Sequence, residues 1–315
     1  MLNGRFPLLP DYEIRACLAR GGMAEVYLAD VLEGPLRDTQ VVLKRLHPKH
    51  AHEAAYLDLF VAEARLGEML VHPNIVQTYE LIHHRDEYFS VHEFVEGCTL
   101  ARLMGGAGEG RPLSLPARLA AFHDLLTALV YLHSPARSRK AIVHRDVNPE
   151  NVLVRSDGVC KLTDLGVAEF EGELHEERVG ALRGTPAYMS PEQARGRVLD
   201  VRSDVFAAGI VLWELLAGRP LHREPTEFET MRRICEEDVP PPSSVATEVP
   251  AALDGLVARA LTRDREQRLP SAAQMLKELD AIREQQQLRW DHAGLASAVE
   301  RERHLPTATV SSTGA

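Results

Sequence analysis

Three polar residues in the middle of this 315-residue chain, Asp146, Asn151 and Asp164, are of the types that could do chemistry together. An aspartate can take the proton from a hydroxyl group. An amide oxygen beside a second carboxylate suits a hard cation such as Mg²⁺, which takes only one or two carboxylates from a protein when it also touches phosphates. The chemistry on offer is activation of a hydroxyl next to a metal-bound phosphate. A surface hairpin with polar ends would explain one Asp and one Asn equally well.

The elements that must position these residues can be read around them. Val152 to Val154 and Val159 to Leu162 are apolar runs separated by Ser156-Asp157-Gly158, and Asp-Gly between β-branched runs is a strong hairpin signal. With Asp157 and Gly158 as the two central turn residues, Asn151 comes directly across from Asp164, about 5 Å away between Cα atoms. Asp146 lies just upstream of the same hairpin mouth.

Two further charges break apolar patterns. In the strand Val41 to Leu46, Lys44 shares a face with Val42 and Leu46, because side chains alternate along a strand. The next element, Glu53 to Leu70, reads as a helix with Tyr56, Leu59, Phe60, Leu66 and Leu70 in its apolar stripe and Glu63 inside that stripe. Unpaired buried charge is costly. Pairing Lys44 with Glu63 resolves both anomalies, while a lysine that merely reaches solvent is the plainer alternative. Earlier still, Tyr12 to Cys17 and Glu25 to Val31 read as strands joined by Leu18-Ala19-Arg20-Gly21-Gly22-Met23-Ala24. A glycine pair there lets backbone N–H groups approach phosphates, although many hairpins contain one.

Taken in order, His144-Arg145-Asp146, then Asn151, then Asp164-Leu165-Gly166 closely resemble the catalytic and metal-binding loops of eukaryotic-type (Hanks-type) protein Ser/Thr kinases, with Leu165 in place of Phe. Residues 18–26 resemble the kinase glycine-rich loop, with Gly21 at the second glycine, Val26 at the valine, and Ala19 and Ala24 replacing the first and third glycines. Gly184-Thr185-Pro186-Ala187-Tyr188-Met189-Ser190-Pro191-Glu192 resembles G-T-x-x-Y-x-A-P-E and points to Ser/Thr substrates. The likeness runs over about residues 11 to 280 and is greatest to the bacterial branch of the family.

That resemblance implies an α+β, two-lobed protein kinase fold with a small β-rich N-lobe and a larger helical C-lobe. The implied division is a lead-in over 1–10, an N-lobe over 11–95, a C-lobe over 96–282, a helical extension over 283–304 and a disordered tail over 305–315. The implied activity is transfer of the ATP γ-phosphate to Ser/Thr hydroxyls of protein substrates. Asp146 would be the base, Lys44 and Glu63 would hold the α- and β-phosphates, and Thr185 would bond near Asp146. Asn151 and Asp164 would hold Mg²⁺. ATP would lie against Leu18, Ala19, Arg20, Gly21, Gly22, Met23, Ala24, Val26, Val42, Lys44, Glu93, Val95 and Leu153. Asp204 would cap its helix, Ser203 to Gly218, or clamp the catalytic-loop backbone, and Arg268 would pair with Glu192.

Four departures carry consequences. Asn148 stands where Ser/Thr kinases usually place a lysine beside the γ-phosphate, and loses charge-assisted stabilisation of about 1.5 to 3 kcal/mol, or about 10- to 100-fold in rate. The two alanines put tight nucleotide binding in question. His92 occupies the gatekeeper position, where the family carries a larger apolar residue or Thr. Between Gly166 and Gly184 there is no Ser, Thr or Tyr, and Glu171, Glu173, Glu176 or Glu177 would supply permanently the charge that a phosphate brings to Arg145 in other kinases.

Composition narrows the partners. A net charge of −10 argues against nucleic acid or an anionic membrane as the main partner. The cysteines Cys17, Cys98, Cys160 and Cys235 show no C-x-x-C spacing, which fits a reduced cytoplasm and no zinc site. No uninterrupted apolar run approaches 18 residues, whereas many bacterial relatives carry a membrane helix after the kinase domain. The reading leaves room for a homodimer. Its rival is a nucleotide-binding pseudokinase or signalling scaffold, favoured by Asn148, Ala19 and Ala24. A small-molecule phosphotransferase of related fold is disfavoured by Gly184 to Glu192.

Overall fold

Alternation of buried and half-buried residues along successive strands builds the first of two units in this computed structural model, which describes residues 9–105, 112–134, 140–165, 169–170, 184–222 and 224–304. The glutamates 171, 173, 176 and 177 and the tail 305–315 lie outside the described residues. The first unit runs to Val95, with Thr163 to Leu165 grouped with it. Strands β1 (Tyr12–Arg20), β2 (Ala24–Val31), β3 (Gln40–Leu46), β4 (Thr78–His84) and β5 (Glu87–Glu93) form one antiparallel sheet in the order β1-β2-β3-β5-β4. Val41 and Leu43 of β3 pack with Tyr27, Ala29, Val31, Phe89 and Val91 in one core. Leu46 lies in a second core with Ala24 and with Phe60 of helix α1 (Ala54–Glu68). Lys44 shares the face of Leu46, because strand side chains alternate.

Several boundaries differ from the sequence expectation. β1 continues past Cys17 to Arg20 because irregularities between Ile14 and Ala16 and between Cys17 and Ala19 keep it in register with β2. The glycine segment is therefore a tight turn, closed by Gly21 N–H donating to Ala24 O at 2.9 Å. β4 begins at Thr78, after a turn closed by Ile75 N–H donating to His72 O. Tyr56 leaves the expected stripe of α1: it is exposed and stacks on His50 at 4.0 Å.

The second unit is largely helical. Its strands are β6 (Gly97–Thr99), β7 (Ile142–Val143), β8 (Val152–Arg155), β9 (Cys160–Leu162) and β10 (Glu169–Phe170), paired as β6-β8-β9 and β10-β7. Its helices are α2 (Leu100–Met104), α3 (Leu115–His133), α4 (Pro191–Ala194), α5 (Val201–Ala217), α6 (Glu227–Glu236), α7 (Ala252–Ala260), α8 (Ala272–Gln285) and α9 (His292–His304). A β-sheet unit followed by a helical unit is the α+β architecture of the two-lobed kinase fold.

Helix α3 is capped by Ser114, which accepts from Ala117 N–H, and has Pro116 in its first turn. Among the described residues it alone is long and apolar enough to cross a membrane. It serves as the core of this unit, burying Leu119, Phe122, Leu125, Leu126, Leu129 and Leu132 and packing on α5, α8 and α9. Helix α5 is apolar nearly all round and buried over Ser203 to Leu216. It begins two residues before the expected start, because Asp200 accepts from Arg202 N–H and caps it, and it ends at Gly218 in the left-handed region.

The β8–β9 hairpin corrects the register. Val152 faces Leu162 and Val154 faces Cys160, one residue away from the pairing that would set Asn151 opposite Asp164. The turn has three residues, not two: Gly158 N–H donates to Arg155 O at 2.8 Å, Gly158 takes φ +88°, and Arg155 N–H bonds Val159 O. A left-handed glycine in the third loop position absorbs the extra residue.

The same glycine is where α9 docks. A Cβ at Gly158 would overlap the carbonyl oxygen of His292 and come within 3.1 Å of Ala296 N. Gly158→Ala should therefore destabilise the chain by about 2 kcal/mol or more, from a strained φ plus a backbone clash. Gly196→Ala, at φ +62° with nothing within 4 Å, bears the strain alone and should cost about 1 kcal/mol. Thermal denaturation of the two variants checks the difference, and equal losses would mean that α9 does not seat on this turn.

Candidate active site

In the first unit the sheet and α1 bring two opposite charges together. Lys44 Nζ lies 2.6 Å from Glu63 Oε1 and 3.6 Å from Asp164 Oδ1, with the lysine side chain 18% exposed and that of Glu63 7%. Glu63 reaches it because it sits on the buried stripe of α1 with Phe60, Ala64 and Gly67. Burial would lower the Lys44 pKa, but the carboxylates of Glu63 and then Asp164 outweigh it, and the value is raised. Lys44 is thus a fixed cation. Asp164 takes φ +63°, unusual for a non-glycine residue, and its side chain is about half exposed.

The residues expected around a nucleotide fall on several elements. Val26 is the neighbour of Lys44 across β2–β3, and both Val26 and Val42 are half-buried. Leu18, Ala19 and Arg20 are exposed on β1, with Ala19 facing Val26, and Gly21 and Gly22 are exposed in the turn. Met23 and Ala24 turn inward, Ala24 being buried with Leu46 and Phe60, so the third-glycine replacement fills core space. Glu93 N–H is taken by Gln77 O at 2.8 Å, Val95 is buried, and Leu153 is half-buried on β8 in the second unit.

In the second unit the structure gathers Asp146, Asn148, Asn151 and Thr185. Asp146 Oδ1 accepts from Thr185 N–H at 2.7 Å and Asn148 Nδ2 at 3.0 Å, while Oδ2 accepts from Asn151 Nδ2 at 2.9 Å. Asn148 is buried and turned inward: its amide also donates to Thr185 Oγ1 at 3.1 Å, and its oxygen caps the 149–151 turn by accepting from Glu150 and Asn151 N–H. It therefore orients the carboxylate and leaves no donor for a phosphate. Asn151 spends its amide nitrogen on Asp146, which leaves its side-chain oxygen to face other chemistry.

The loop that carries Asp146 is held from behind. Asp204 accepts from His144 N–H at 2.8 Å, Arg145 N–H at 2.9 Å and His133 Nε2 at 2.8 Å. Burial pushes this carboxyl upward, yet the bond from His133 and the neighbouring His144 hold it below the usual carboxylate range. Asp204 is thus a clamp, and Asp200 is the cap. Arg145 is strained, with φ +68°. Gly184, at φ +108°, lets the chain pass Asp146, since a Cβ there would lie 2.9 Å from Arg145 O. Gln193 donates to Arg145 O at 2.8 Å. Sequence reasoning missed Gln193 and His133, whose roles exist only through contacts made across the fold. Arg268 and Glu192 pair as expected, at 2.6 Å.

The lysine–glutamate pair on the β-sheet of the first unit, and the carboxylate held by three donors beside a strained backbone in the second, are each the arrangement that the sequence resemblance implies. The protein kinase domain family model matches residues 12–279. The chain belongs to the protein kinase domain family. It is 34% identical over 277 residues to a tyrosine-protein kinase, MasK, of Myxococcus xanthus, covering 85% of this chain and 43% of that one. It is 32% identical over 265 residues to the serine/threonine-protein kinase PrkC of Bacillus subtilis, covering 84% and 39%. With PknL of Mycobacterium tuberculosis, named a serine/threonine-protein kinase, it shares 34% over 274 residues, covering 87% and 66%. The chain thus spans about two fifths of the length of the first two relatives.

Proposed function

We propose that this chain is an ATP-dependent protein kinase that phosphorylates Ser/Thr hydroxyls of protein substrates. The observation that carries the reading is the Asp146 carboxylate, held by three donors from Thr185, Asn148 and Asn151. Asp146 would take the proton of the substrate hydroxyl, and Lys44, steadied by Glu63, would grip the nucleotide phosphates. Phosphoryl transfer needs mainly positioning and charge stabilisation, and a fixed cation with a fixed base supplies both.

The donor set fits Mg²⁺. Among the described residues no cluster of three or more His, Cys, Asp or Glu could hold a metal alone. Asn151 would offer one amide oxygen and Asp164 one carboxylate, the kind of donors the ion takes when nucleotide phosphates and water supply its other ligands. When bound, it would neutralise charge on the transferred phosphate. The four free cysteines are in keeping with a reducing cytoplasm as the working compartment.

Two relatives are named Ser/Thr kinases and one a Tyr kinase, so acceptor type has to be measured. Incubation with γ-labelled ATP, Mg²⁺ and general protein acceptors, followed by phosphoamino-acid analysis, should give phosphoserine and phosphothreonine. Label on tyrosine alone would redirect the reading. Absence of label with intact ATP binding would favour a signalling pseudokinase, the reading that the inward-turned Asn148 and filled Ala24 support.

A further inference from the structure

One half-buried histidine near Lys44 is not used by this chemistry. On β5, Ser90 is the cross-strand partner of Lys44, and His92 is the partner of Val42 on one side and of Thr78 on the other. Cross-strand partners share a face of the sheet, as do residues two apart. Lys44, Ser90, His92 and Thr78 therefore lie together on the face that meets α1. His92 Nε2 is 2.7 Å from Ser90 Oγ and its Nδ1 is 3.1 Å from Thr78 Oγ1. Both ring nitrogens are occupied, one as donor and one as acceptor in the neutral ring.

Thr78 then meets the helix. A Cβ at Gly67 would overlap Thr78 Oγ1 and lie 2.8 Å from Thr78 Cβ. Gly67 is one turn beyond Glu63, and both are buried on the same side of α1. Gly67 thus brings the helix backbone down onto a threonine that His92 holds in place, and the turn before it delivers Glu63 to Lys44 at 2.6 Å. Burial first, and the Lys44 charge second, push the His92 pKa down to about 4, so the ring stays neutral beside the cation.

We propose that His92 is a positioning residue: its ring ties Ser90 to Thr78 beneath Gly67, fixes the depth at which α1 sits on the sheet, and so holds Glu63 against Lys44. The proposal concerns the lysine–glutamate pair and rests on the kinase reading only for what that pair does.

Hydrogen exchange on the nucleotide-free chain tests it. His92→Leu removes both hydrogen bonds at similar volume, and amides of residues 60–68 should exchange at least tenfold faster while those of 115–133 keep their wild-type rates. In the kinase assay the same variant should raise KM for ATP about tenfold, with a smaller change in kcat. His92→Gln, which keeps a donor and an acceptor, should recover much of both effects, and it carries the test if His92→Leu does not fold. Gly67→Ala should loosen the same amides, and the double variant should add little to either single one. Unchanged exchange at 60–68, or equal loosening at 115–133, overturns the proposal. Failure of the kinase reading would instead abolish phosphoryl transfer in wild type while leaving the exchange difference in place.

Discussion

Asp146→Asn should lower kcat by about 10²- to 10⁴-fold, the range a positioned general base contributes, with nucleotide affinity within about a factor of two of wild type. Asparagine keeps an oxygen for Thr185 N–H and Asn148, whose bonds to Oδ1 measure 2.7 and 3.0 Å. It turns its own NH₂ toward Asn151 Nδ2, which now donates to Oδ2. Two opposed donors cost about 1 to 3 kcal/mol at most, so the chain should still fold and the loss should be chemical. Steady-state turnover, a nucleotide-binding isotherm and a melting curve on the same preparation separate the two effects. Turnover within tenfold of wild type would remove Asp146 from the role of base, and a collapse in ATP affinity would mean that the loop, not the proton transfer, had failed.

The contrast with Lys44 explains what could be read without a structure. Lys44 and Glu63 are visible because each interrupts an apolar pattern, and the only economical way to bury both is side by side. Helix α3 carries a signal of the same local kind, since Pro116 and the apolar positions from Leu119 to Leu132 agree with one another. The expected facing of Asn151 and Asp164 differs from the observed register by one residue, because Asp-Gly fits a two-residue turn as well as the three-residue turn that forms. Local sequence does not choose between them, and the turn that forms is the one on which α9 packs against Gly158.

The remaining site residues have no periodic signature. His92 looks like an oddity in a strand until Thr78 and Ser90, on two sides of it, are seen to take its ring nitrogens. Asn148 reads as a lost lysine, although its amide holds Asp146 and caps the next turn. Asp124, buried on α3, accepts from Cys160 N–H and His292, contacts separated by 36 and 168 residues. What fails to appear in a sequence is which side-chain hydrogen bond forms, whether its partner is two residues away, as for Asn148 and Asp146, or 168, as for Asp124 and His292.

The largest stability effect should come from Arg268, whose five donors are all engaged. Nε donates to Thr262 O, Nη1 to Glu192 Oε1 at 2.6 Å and to Arg202 O, and Nη2 to Glu192 Oε2 at 3.0 Å and to Arg263 O. The guanidinium also lies 4.9 Å from the centre of the Phe206 ring, and the two charged side chains are 0% and 6% exposed. Arg268→Ala leaves the Glu192 carboxylate buried with Ser203 Oγ at 2.9 Å as its remaining side-chain donor. Breaking such a pair from one side costs about 3 to 5 kcal/mol, which for the larger unit means a melting temperature lower by roughly 6 to 20 °C. Arg268→Lys keeps the charge but brings three donors to five acceptors, and should recover less than half of the loss. The pH dependence gives the sign. Burial raises the Glu192 pKa, but the bonds from Arg268 outweigh it and bring the value below its ordinary 4.5. The wild-type contribution is therefore complete above about pH 4.5 and disappears as pH falls through the lowered value. In Arg268→Ala burial acts without the cation, so the carboxyl takes up its proton at higher pH and the variant recovers part of its deficit on acidification. Melting curves from pH 7 to pH 4 should show the gap between wild type and Arg268→Ala narrowing, whereas a gap that stays constant would mean that Glu192 is not the group left uncompensated.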